Sequence, residues 1–429
     1  FFYCGNEANV ELYVNNSGLM WESAKHFNAK LIFVEHRYFG KTIPFGKYHL
    51  DPFEYEFNQF LTVEQALNDF ATFLHDKRSG RLLNSPVIAF GGSYGGMLCS
   101  WLRMQFPSAI DGCIAGSAPI VNFIGMHPAF KTNSFPQQET IDASEDGGAV
   151  EYCKDKVHSI WDIINKKGST PAGLQKLVEA FKLCPSDKID ADVITNWLSS
   201  AISFMSMGSY PYPSNYMLNG PPGILPAYPL RVACAALPDG PTQHISDDAL
   251  LAGMGEFAAV FYNNTNDKKC FEAGVTNEHW DLDGLLWNYL YCSSVIMPMG
   301  QDGKHDMFWN APFDLNETVS GCEKLGFKPD PLWVPTAFGD TPAKYGDKYS
   351  NIVWSNGALD PWIGGGITQN ISDSLVAIII PDVGHHIDLM FSNKEDTAEV
   401  KFAREFERRH IQKWIDEHNA NRPEEPAMI

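Results

Sequence analysis

The fold of this chain is decided by residues 86–97, which read PVIAFGGSYGGM. The apolar run at its start has the pattern of a buried strand, and residues 97–106 have the composition of a helix. Between them, Gly91, Ser93 and Gly95 form the G-x-S-x-G motif, in which a tight strand-to-helix turn exposes the serine hydroxyl above a sheet. Ser93 is therefore the candidate nucleophile, and an ordinary glycine-rich turn is the alternative.

The sequence on both sides of this motif alternates short strand patterns with helix patterns. Strands are predicted at 1–4, 31–34, 113–115, 351–355 and 375–380, and helices from Thr62 and over 397–418. Thr62 and Gln65 have the spacing of a capping box. Strand-helix-strand alternation predicts a parallel sheet with helices on both faces.

The character of the sequence changes between residues 121 and 281. Helical stretches are separated there by loops rich in proline and glycine, and strand patterns are sparse. We therefore predict an α/β-hydrolase fold that carries an inserted, mostly helical cap domain. The predicted division is 1–120 for the first part of the hydrolase domain, 121–281 for the cap and 282–429 for the second part.

A serine hydroxyl needs a base, and the base needs an acid to orient it. In this architecture the three residues follow the order serine, acid, histidine. Asp360 follows the predicted strand 351–355, in a position that also suits a simple turn residue. Its weaker rivals are Asp382 and Asp388, which share the loop of the histidine.

Two adjacent histidines, His385 and His386, follow the last predicted strand. Either could be the base, because loops beyond the carboxyl ends of parallel strands form the sites of such sheets. The backbone N–H of Tyr94, directly after the serine, is the predicted oxyanion donor. A second donor is predicted near Asn6, where a simple turn is an equal alternative.

Composition excludes several other functions. The net charge of −20 argues against nucleic acid as a partner. The sequence contains no window of about 18 consecutive apolar residues, so no membrane span is predicted. Histidines and cysteines lack metal-ligand spacing, and the glycine run at 364–366 lacks the context of a nucleotide site. No metal and no cofactor are expected.

Four glycosylation sequons and nine cysteines favour an oxidising compartment. The sequons lie at Asn15, Asn263, Asn316 and Asn370. The chain opens at Phe1 and not at methionine, which we interpret as a processed chain or a fragment. The secretory pathway is the expected location.

The motifs together resemble those of the prolyl-specific serine peptidases, a family that includes carboxypeptidases and dipeptidyl peptidases. The resemblance covers nearly the whole chain and is carried by the segments 5–7, 35–40, 61–67, 91–97, 117–119, 355–362 and 384–386. It implies that Ser93, Asp360 and His385 form the catalytic triad, which favours His385 over His386. It also implies cleavage beside proline, under a helical cap.

The resemblance further implies a proline pocket formed by Met97, Met297 and Trp362, for which core packing is the alternative reading. The segment 295–299 is more similar to the carboxypeptidases than to the dipeptidyl peptidases. Two departures are Met390, where the family often has arginine near the base, and Gly300, at a family cysteine position.

The disulfides implied by the resemblance are Cys153–Cys234, Cys184–Cys270 and Cys292–Cys322. The three remaining cysteines, in the hydrolase core, are expected to be reduced; they are Cys4, Cys99 and Cys113. The oligomeric state stays open, with a homodimer among the alternatives.

The sequence thus predicts a lysosomal or extracellular serine carboxypeptidase that acts on proline-containing peptides and releases the C-terminal residue after proline. The first alternative is a dipeptidyl peptidase that releases N-terminal X-Pro dipeptides. An esterase or lipase on the same fold and a catalytically silent binding protein are more remote.

Overall fold

A parallel sheet of six strands lies at the centre of the protein. The structure, a computed structural model, describes residues 1–44, 59–78, 84–273 and 282–421. Its strands are β1 (Phe2–Cys4), β2 (Ile32–Val34), β3 (Ile88–Gly92), β4 (Gly112–Gly116), β5 (Gln301–Asp302), β6 (Asn310–Ala311), β7 (Ile352–Gly357) and β8 (Leu375–Ile380). The sheet has the order β2-β1-β3-β4-β7-β8, and β5 and β6 form a separate antiparallel hairpin. The predicted parallel sheet is confirmed, and the mixed α/β arrangement is consistent with an α/β-hydrolase-like fold.

The strand register brings the ends of the central strands into one row. Gly92 of β3 lies beside Gly116 of β4, which in turn lies beside Ser355 of β7. A Cβ atom on Gly92 would come within 2.8 Å of the His386 ring, and one on Gly116 within 2.9 Å of the His386 Cβ. The two glycines therefore leave room for the histidine loop to lie against the end of the sheet.

Among the described residues, four helices accompany the first four strands: α1 (Val10–Val14), α2 (Gly18–Ala24), α3 (Val63–Lys77) and α4 (Tyr94–Gln105). The predicted cap of α3 is present, because the Thr62 side chain accepts a hydrogen bond from the Gln65 backbone N–H. Helix α4 begins three residues before the predicted residue 97. The glycines after Ser93 already belong to its first turn, although glycine is a poor helix former.

Both faces of the sheet are covered by hydrophobic side chains. Phe2 and Trp354 belong to the core on the α3 and α4 side. Their neighbours Tyr3 and Val353 belong to the core on the other face. Successive side chains of a strand point to opposite faces, so burial of both neighbours requires layers on each side of the sheet.

The described elements between β4 and residue 273 are helices. The α-helices of this stretch are α5 (Ser134–Asp142), α6 (Cys153–Gly168), α7 (Pro171–Ala180), α8 (Ala191–Met207), α9 (Pro229–Ala235) and α10 (Asp247–Tyr262). They surround a hydrophobic core of their own, which we call the helical core; Trp161, Leu198 and Phe257 belong to it. The predicted boundary at residue 281 lies outside the described residues.

The β5–β6 hairpin contacts the helical core although it follows that stretch in sequence. Met307 and Phe308, between the two strands, are buried in the helical core. The indole Nε1 of Trp161 donates a hydrogen bond of 2.8 Å to the Met307 carbonyl. The hairpin therefore packs with the helices and not with the sheet, a contact that the linear division of the sequence did not foresee.

The last helices are α11 (Leu282–Ser293), α12 (Leu315–Lys324), α13 (Trp333–Phe338) and α14 (Ala398–Ala420). Helix α14 was predicted over 397–418, and Thr397 caps its first turn by accepting a hydrogen bond from the Val400 N–H. Within the described ranges, none of the helices combines the length and the apolar character that crossing a bilayer requires.

Four disulfides are formed. Three join the pairs that the resemblance implied, namely Cys153–Cys234, Cys184–Cys270 and Cys292–Cys322. The fourth joins Cys99 to Cys113, so the expectation that these two cysteines are reduced is wrong. Helix α4 lies directly on β4, which brings the two Cα atoms to 5.9 Å, within the range of a disulfide. Cys4 is free and buried, as expected.

Candidate active site

Ser93 occupies the turn between β3 and α4 in a strained backbone conformation. Its φ and ψ are 56° and −128°, a region that residues with a side chain rarely adopt. The Ser93 N–H donates a hydrogen bond of 2.9 Å to the Gly116 carbonyl, which fixes the turn to β4. The side chain is only half-buried, in contrast to its buried neighbours. A strained serine that is more accessible than its neighbours is consistent with the turn that the motif predicts.

Two positions of the motif require glycine because neighbouring atoms leave no space for a side chain. A Cβ atom on Gly91 would overlap the Gly95 carbonyl, and one on Gly95 would overlap the Asn6 side chain. The turn is therefore so tight that side chains two residues before and after the serine have no space.

His385 and Asp360 form a buried pair. Nδ1 of His385 lies 2.8 Å from Oδ2 of Asp360, and the two side chains are 5% and 0% exposed. The other oxygen of Asp360 accepts a hydrogen bond of 3.1 Å from the Trp362 backbone N–H. An Nδ1–H that donates to Asp360 leaves Nε2 as the unprotonated nitrogen, so this geometry selects the tautomer that a general base needs.

Ser93 and this pair lie at the same edge of the sheet. Ser93 follows β3, Asp360 follows β7 and His385 follows β8, and the carboxyl ends of these parallel strands meet at one edge. Within the described residues, no hydrogen bond joins Ser93 Oγ to His385. Catalytic hydrogen bonds are often long without substrate and shorten when substrate binds.

His386, the competing base, has different partners. Its Nε2 lies 3.2 Å from the Tyr216 hydroxyl, and its backbone N–H donates to Ser117 Oγ at 2.8 Å. Burial, together with the neighbouring His385, lowers the pKa of His386 well below its usual range. His386 is therefore a neutral side chain that packs beside the pair.

The two rival acids on the histidine loop are engaged elsewhere. Asp382 binds Arg231 and, at 3.0 Å, the Tyr228 hydroxyl. Asp388 accepts a hydrogen bond of 2.7 Å from Ser355. Within the described residues, His385 is hydrogen-bonded to the carboxylate of Asp360 and not to that of Asp382 or Asp388.

The histidine loop is held by Arg404 of α14, a residue that the sequence reading did not single out. Its guanidinium donates to the carbonyls of Asp388 at 3.0 Å and Ile387 at 3.1 Å, and it is paired with buried Asp396. Arg404 lies on the stripe of α14 that also buries Val400 and other apolar residues. A charged residue on the apolar stripe of a helix is the sequence signal that could have identified it.

The helical stretch also supports the histidine loop. The backbone N–H of His385 donates to the Met207 carbonyl at 2.9 Å, and that of Gly384 donates to the Ser209 carbonyl at 2.7 Å. The Tyr210 hydroxyl donates to the His385 carbonyl at 3.0 Å. The position of the histidine therefore depends on α8 and the loop after it as well as on the sheet.

The predicted oxyanion donors lie next to the serine. The N–H of Tyr94 is in the first turn of α4, where backbone N–H groups have no acceptor within the helix. The Asn6 side chain donates to the Gly92 carbonyl at 2.7 Å and accepts from the Tyr3 hydroxyl at 3.2 Å. The loop that carries Asn6 therefore lies against the end of β3, directly before Ser93.

The three residues of the predicted proline pocket share one hydrophobic cluster. Met97 and Met297 are buried in it, and the half-buried Trp362 packs against it. The Trp362 indole lies edge-on to Phe135 of α5, with ring centroids 4.8 Å apart, and its Nε1 lies 3.2 Å from the Met207 sulfur. Phe135 and Met207, which the sequence reading did not name, hold the indole from the helical side.

A buried acidic pair, Glu139 and Asp142 of α5, lies near the Asp360 loop and was also not anticipated. Both are 2% exposed, and their partners include the hydroxyls of Ser203, at 2.6 Å from Glu139, and Ser206. Burial raises the pKa of Glu139 and of Asp142 to about 8. Gln138 connects Asp142, at 2.8 Å, to the Ala358 carbonyl two residues before Asp360.

A parallel sheet with a strained serine after a central strand, and a buried His–Asp pair at the same edge, is the arrangement of a serine hydrolase. Residues 1–407 match the family described as serine carboxypeptidase S28. The chain belongs to this family.

Curated relatives support the same family. The lysosomal Pro-X carboxypeptidase of Homo sapiens is 38% identical over 418 residues, which are 96% of this chain and 80% of that protein. The Mus musculus protein of the same name is 37% identical over 421 residues, 96% of this chain and 81% of that protein. The prolyl carboxy peptidase like protein 5 of Caenorhabditis elegans is 32% identical over 444 residues, 98% and 83% of the two chains.

Proposed function

We propose that this S28 serine carboxypeptidase is a lysosomal Pro-X carboxypeptidase, which releases the C-terminal residue that follows proline. The observation that carries the proposal is the buried 2.8 Å pair of His385 and Asp360 at the sheet edge that also presents Ser93. The names of the similar proteins supply the bond that is cut and the lysosomal route.

In the proposed mechanism, Ser93 attacks the carbonyl carbon of proline while His385 Nε2 accepts its proton. Asp360 holds the Nδ1–H and stabilises the imidazolium that forms. The N–H of Tyr94 and the backbone of Asn6 stabilise the oxyanion. His385 then donates the proton to the leaving amine, and water hydrolyses the acyl-enzyme by the same steps in reverse.

Specificity for proline comes, in this proposal, from Met97, Met297 and Trp362. Their shared cluster offers a flat indole and two adaptable thioethers to a rigid pyrrolidine ring. Support comes from the fixed indole of Trp362, which is held by Phe135 and Met207.

The helical stretch acts as a cap over this site. It has its own hydrophobic core, and it contributes Met207 and Ser209 to the hydrogen bonds of the histidine loop. The division of the chain into 1–120, 121–281 and 282–429 is part of the proposal, with the hairpin residues Met307 and Phe308 added to the cap.

Passage through the secretory pathway suits the four disulfides and the sequons. Asn15, Asn316 and Asn370 are exposed, and Asn263 is half-buried. Treatment of the secreted protein with an endoglycosidase should lower its mass if these asparagines are glycosylated.

The proposal is tested by hydrolysis of two amino-blocked dipeptides, one ending in Pro-Phe and one in Ala-Phe. A Pro-X carboxypeptidase cleaves the first faster, and equal rates would remove the claim of proline specificity. The dipeptidyl peptidase alternative predicts no cleavage of either, because its substrates need a free amino terminus. An esterase would instead hydrolyse long acyl esters and leave both peptides intact.

A further inference from the structure

Glu7 is an unassigned carboxyl group beside the candidate active site. It directly follows Asn6 in the loop after β1, and this loop is bound to β3 through the hydrogen bond from Asn6 to the Gly92 carbonyl. Glu7 is half-buried, and its Oε2 atom is enclosed with no hydrogen-bond partner among the described residues. A buried oxygen without a partner is costly, which points to a role for this group.

Several titratable groups face Glu7. The negative charge of Glu7 raises the pKa of four tyrosines, which are Tyr3, Tyr13, Tyr94 and Tyr216. The charged groups that act on Glu7 include His385 of the histidine loop and Asp283 of α11. Burial raises the pKa of Glu7 above its ordinary value of 4.5, and Asp283 adds to this shift. Hydrogen bonds from its own backbone and from Asn6, and the charge of His385, act in the opposite direction. The protonated form of Glu7 is therefore favoured at acid pH.

The strand order places Glu7 and Trp362 on opposite sides of the nucleophile. Glu7 follows β1, Ser93 follows β3 and Trp362 follows β7, and the sheet order is β2-β1-β3-β4-β7-β8. A substrate whose proline ring lies against Trp362 and whose carbonyl lies at Ser93 extends its leaving residue towards Glu7.

Arg37, on the segment after β2, is paired with Asp69 at 2.6 Å. Arg231 of α9 and Arg404 of α14 are likewise paired, with Asp382 and Asp396. Among the described residues, these three arginines therefore already bind carboxylates of the protein, whereas Glu7 has an oxygen without a partner. A carboxylic acid can bind a carboxylate when one proton is shared between them, in a short charge-assisted hydrogen bond.

We propose that Glu7 in its protonated form donates a hydrogen bond to the terminal carboxylate of the leaving residue. The inference rests on the proposed carboxypeptidase function and adds the group that recognises the end of the substrate. Ionised Glu7 would repel the same carboxylate, so binding weakens as the pH rises through the ionisation of Glu7. The KM for a free-acid substrate should then rise about tenfold or more, while the KM for the corresponding amide changes little.

The test compares amino-blocked Pro-Phe with amino-blocked Pro-Phe amide, over the acid to neutral range, in the wild type and two variants. Glu7→Gln keeps a hydrogen-bond donor but does not ionise, so it should retain the preference for the free acid and lose the rise of KM with pH. Glu7→Ala should reduce the acid-to-amide ratio of kcat/KM about tenfold or more. The matched control is Glu11→Gln, which removes an exposed carboxylate nearby that is paired with Lys41.

The outcomes separate the two proposals. In one outcome the wild type prefers the free acid, Glu7→Ala keeps this preference and Glu7→Gln keeps the dependence of KM on pH. That result would overturn the role of Glu7 and leave the proposed carboxypeptidase function intact. A wild type that does not cleave Pro-Phe, or does not distinguish acid from amide, would overturn the carboxypeptidase function and the role of Glu7 with it. Labelling of Ser93 by a fluorophosphonate checks that each variant is folded. If Glu7→Ala does not fold, the dependence of KM on pH in Glu7→Gln decides the case alone.

Discussion

Asp360 at the candidate active site and the pair Glu139 and Asp142 in the helical stretch are buried carboxyl groups with different hydrogen-bond partners. Asp360 accepts hydrogen bonds from the imidazole of His385 and from a backbone N–H. Glu139 and Asp142 accept from serine hydroxyls and an amide, and burial raises the pKa of both to about 8. An imidazole can take up a positive charge during the reaction, whereas hydroxyls and amides cannot.

The acidic pair therefore limits the stability of the fold at high pH. Stability falls on alkalinisation because ionised Glu139 and Asp142 would be buried side by side, and among the described residues neither forms an ion pair with a basic side chain. An enzyme built in this way suits a mildly acidic compartment.

The largest effect is expected at the proposed catalytic pair, Asp360 and His385. Asp360→Asn keeps the shape of the site but favours the wrong histidine tautomer, so kcat should fall about 10⁴-fold. The control is Asp382→Asn, an acid on the histidine loop that is paired with Arg231. Steady-state kinetics on a Pro-Phe substrate measure both, and similar losses in the two variants would contradict the assignment of the acid.

Arg404 represents a third kind of buried polar group, a cation with a carboxylate and three backbone carbonyls as partners. Arg404→Met leaves Asp396 buried without a cation, so the free energy of unfolding should fall by about 3–5 kcal/mol. Because the lost hydrogen bonds hold the loop of His385, kcat should fall as well.

A matched control for this change is Arg408→Met on the same helix. Arg408 is 27% exposed and lies 3.8 Å from Glu22, so its loss should cost about 1 kcal/mol or less. Thermal or denaturant unfolding measures both values. Equal destabilisation by the two substitutions would show that Arg404 does not hold the loop in the way we describe.

The acidic pair of the helical stretch should make stability depend on pH. The pKa of Glu139 rises from 4.5 and that of Asp142 from 3.8 to about 8 on folding. Between these values the folded state keeps protons that the unfolded state has lost. Their contribution to stability is complete below about pH 4 and is lost as the pH rises towards about 8.

The melting temperature of the wild type should therefore decrease between pH 5 and 8. In the double variant Glu139→Gln and Asp142→Asn, this decrease should be smaller by about a few degrees. The exposed neighbour Glu145 supplies the control variant Glu145→Gln, which should follow the wild-type curve. If the double variant also follows the wild-type curve, ionisation of this pair does not limit stability.

The smallest effect is expected at the proline pocket. Trp362→Leu removes the flat surface but keeps an apolar side chain, so the ratio of kcat/KM for Pro-Phe over Ala-Phe should fall about tenfold. Trp21→Leu, at an exposed indole on α2, is the control for loss of a tryptophan. An unchanged ratio in Trp362→Leu would place the selectivity elsewhere.

Much of the sheet-bearing part could be predicted because its signals are local. The turn at Ser93 depends on glycines within two residues, and the cap of α3 depends on Thr62 and Gln65. The order of serine, acid and histidine restricted the candidates further. The choice between His385 and His386, however, came from the family resemblance, because adjacent residues give the same pattern.

The residues that sequence reasoning missed act through contacts between distant segments. Cys99 and Cys113 bond because α4 lies on β4, and Arg404 binds a loop through the packing of α14. In the sequence, Glu139 and Asp142 have no feature that separates them from other helix residues. They are buried because α8 packs against α5, and its serines donate hydrogen bonds to both carboxyl groups. Burial and partners of this kind do not exist in the linear chain.

The sequence by itself predicted the class of fold, a candidate nucleophile and a small set of candidates for its partners, since periodicity, glycine spacing and motif order are properties of neighbouring residues. Only the tertiary structure decided which basic residue holds the histidine loop, which cysteines of the sheet-bearing part are bonded and which acids are buried. The physical reason is that hydrogen bonding and desolvation depend on distances in space, and these are set only when separate segments pack together.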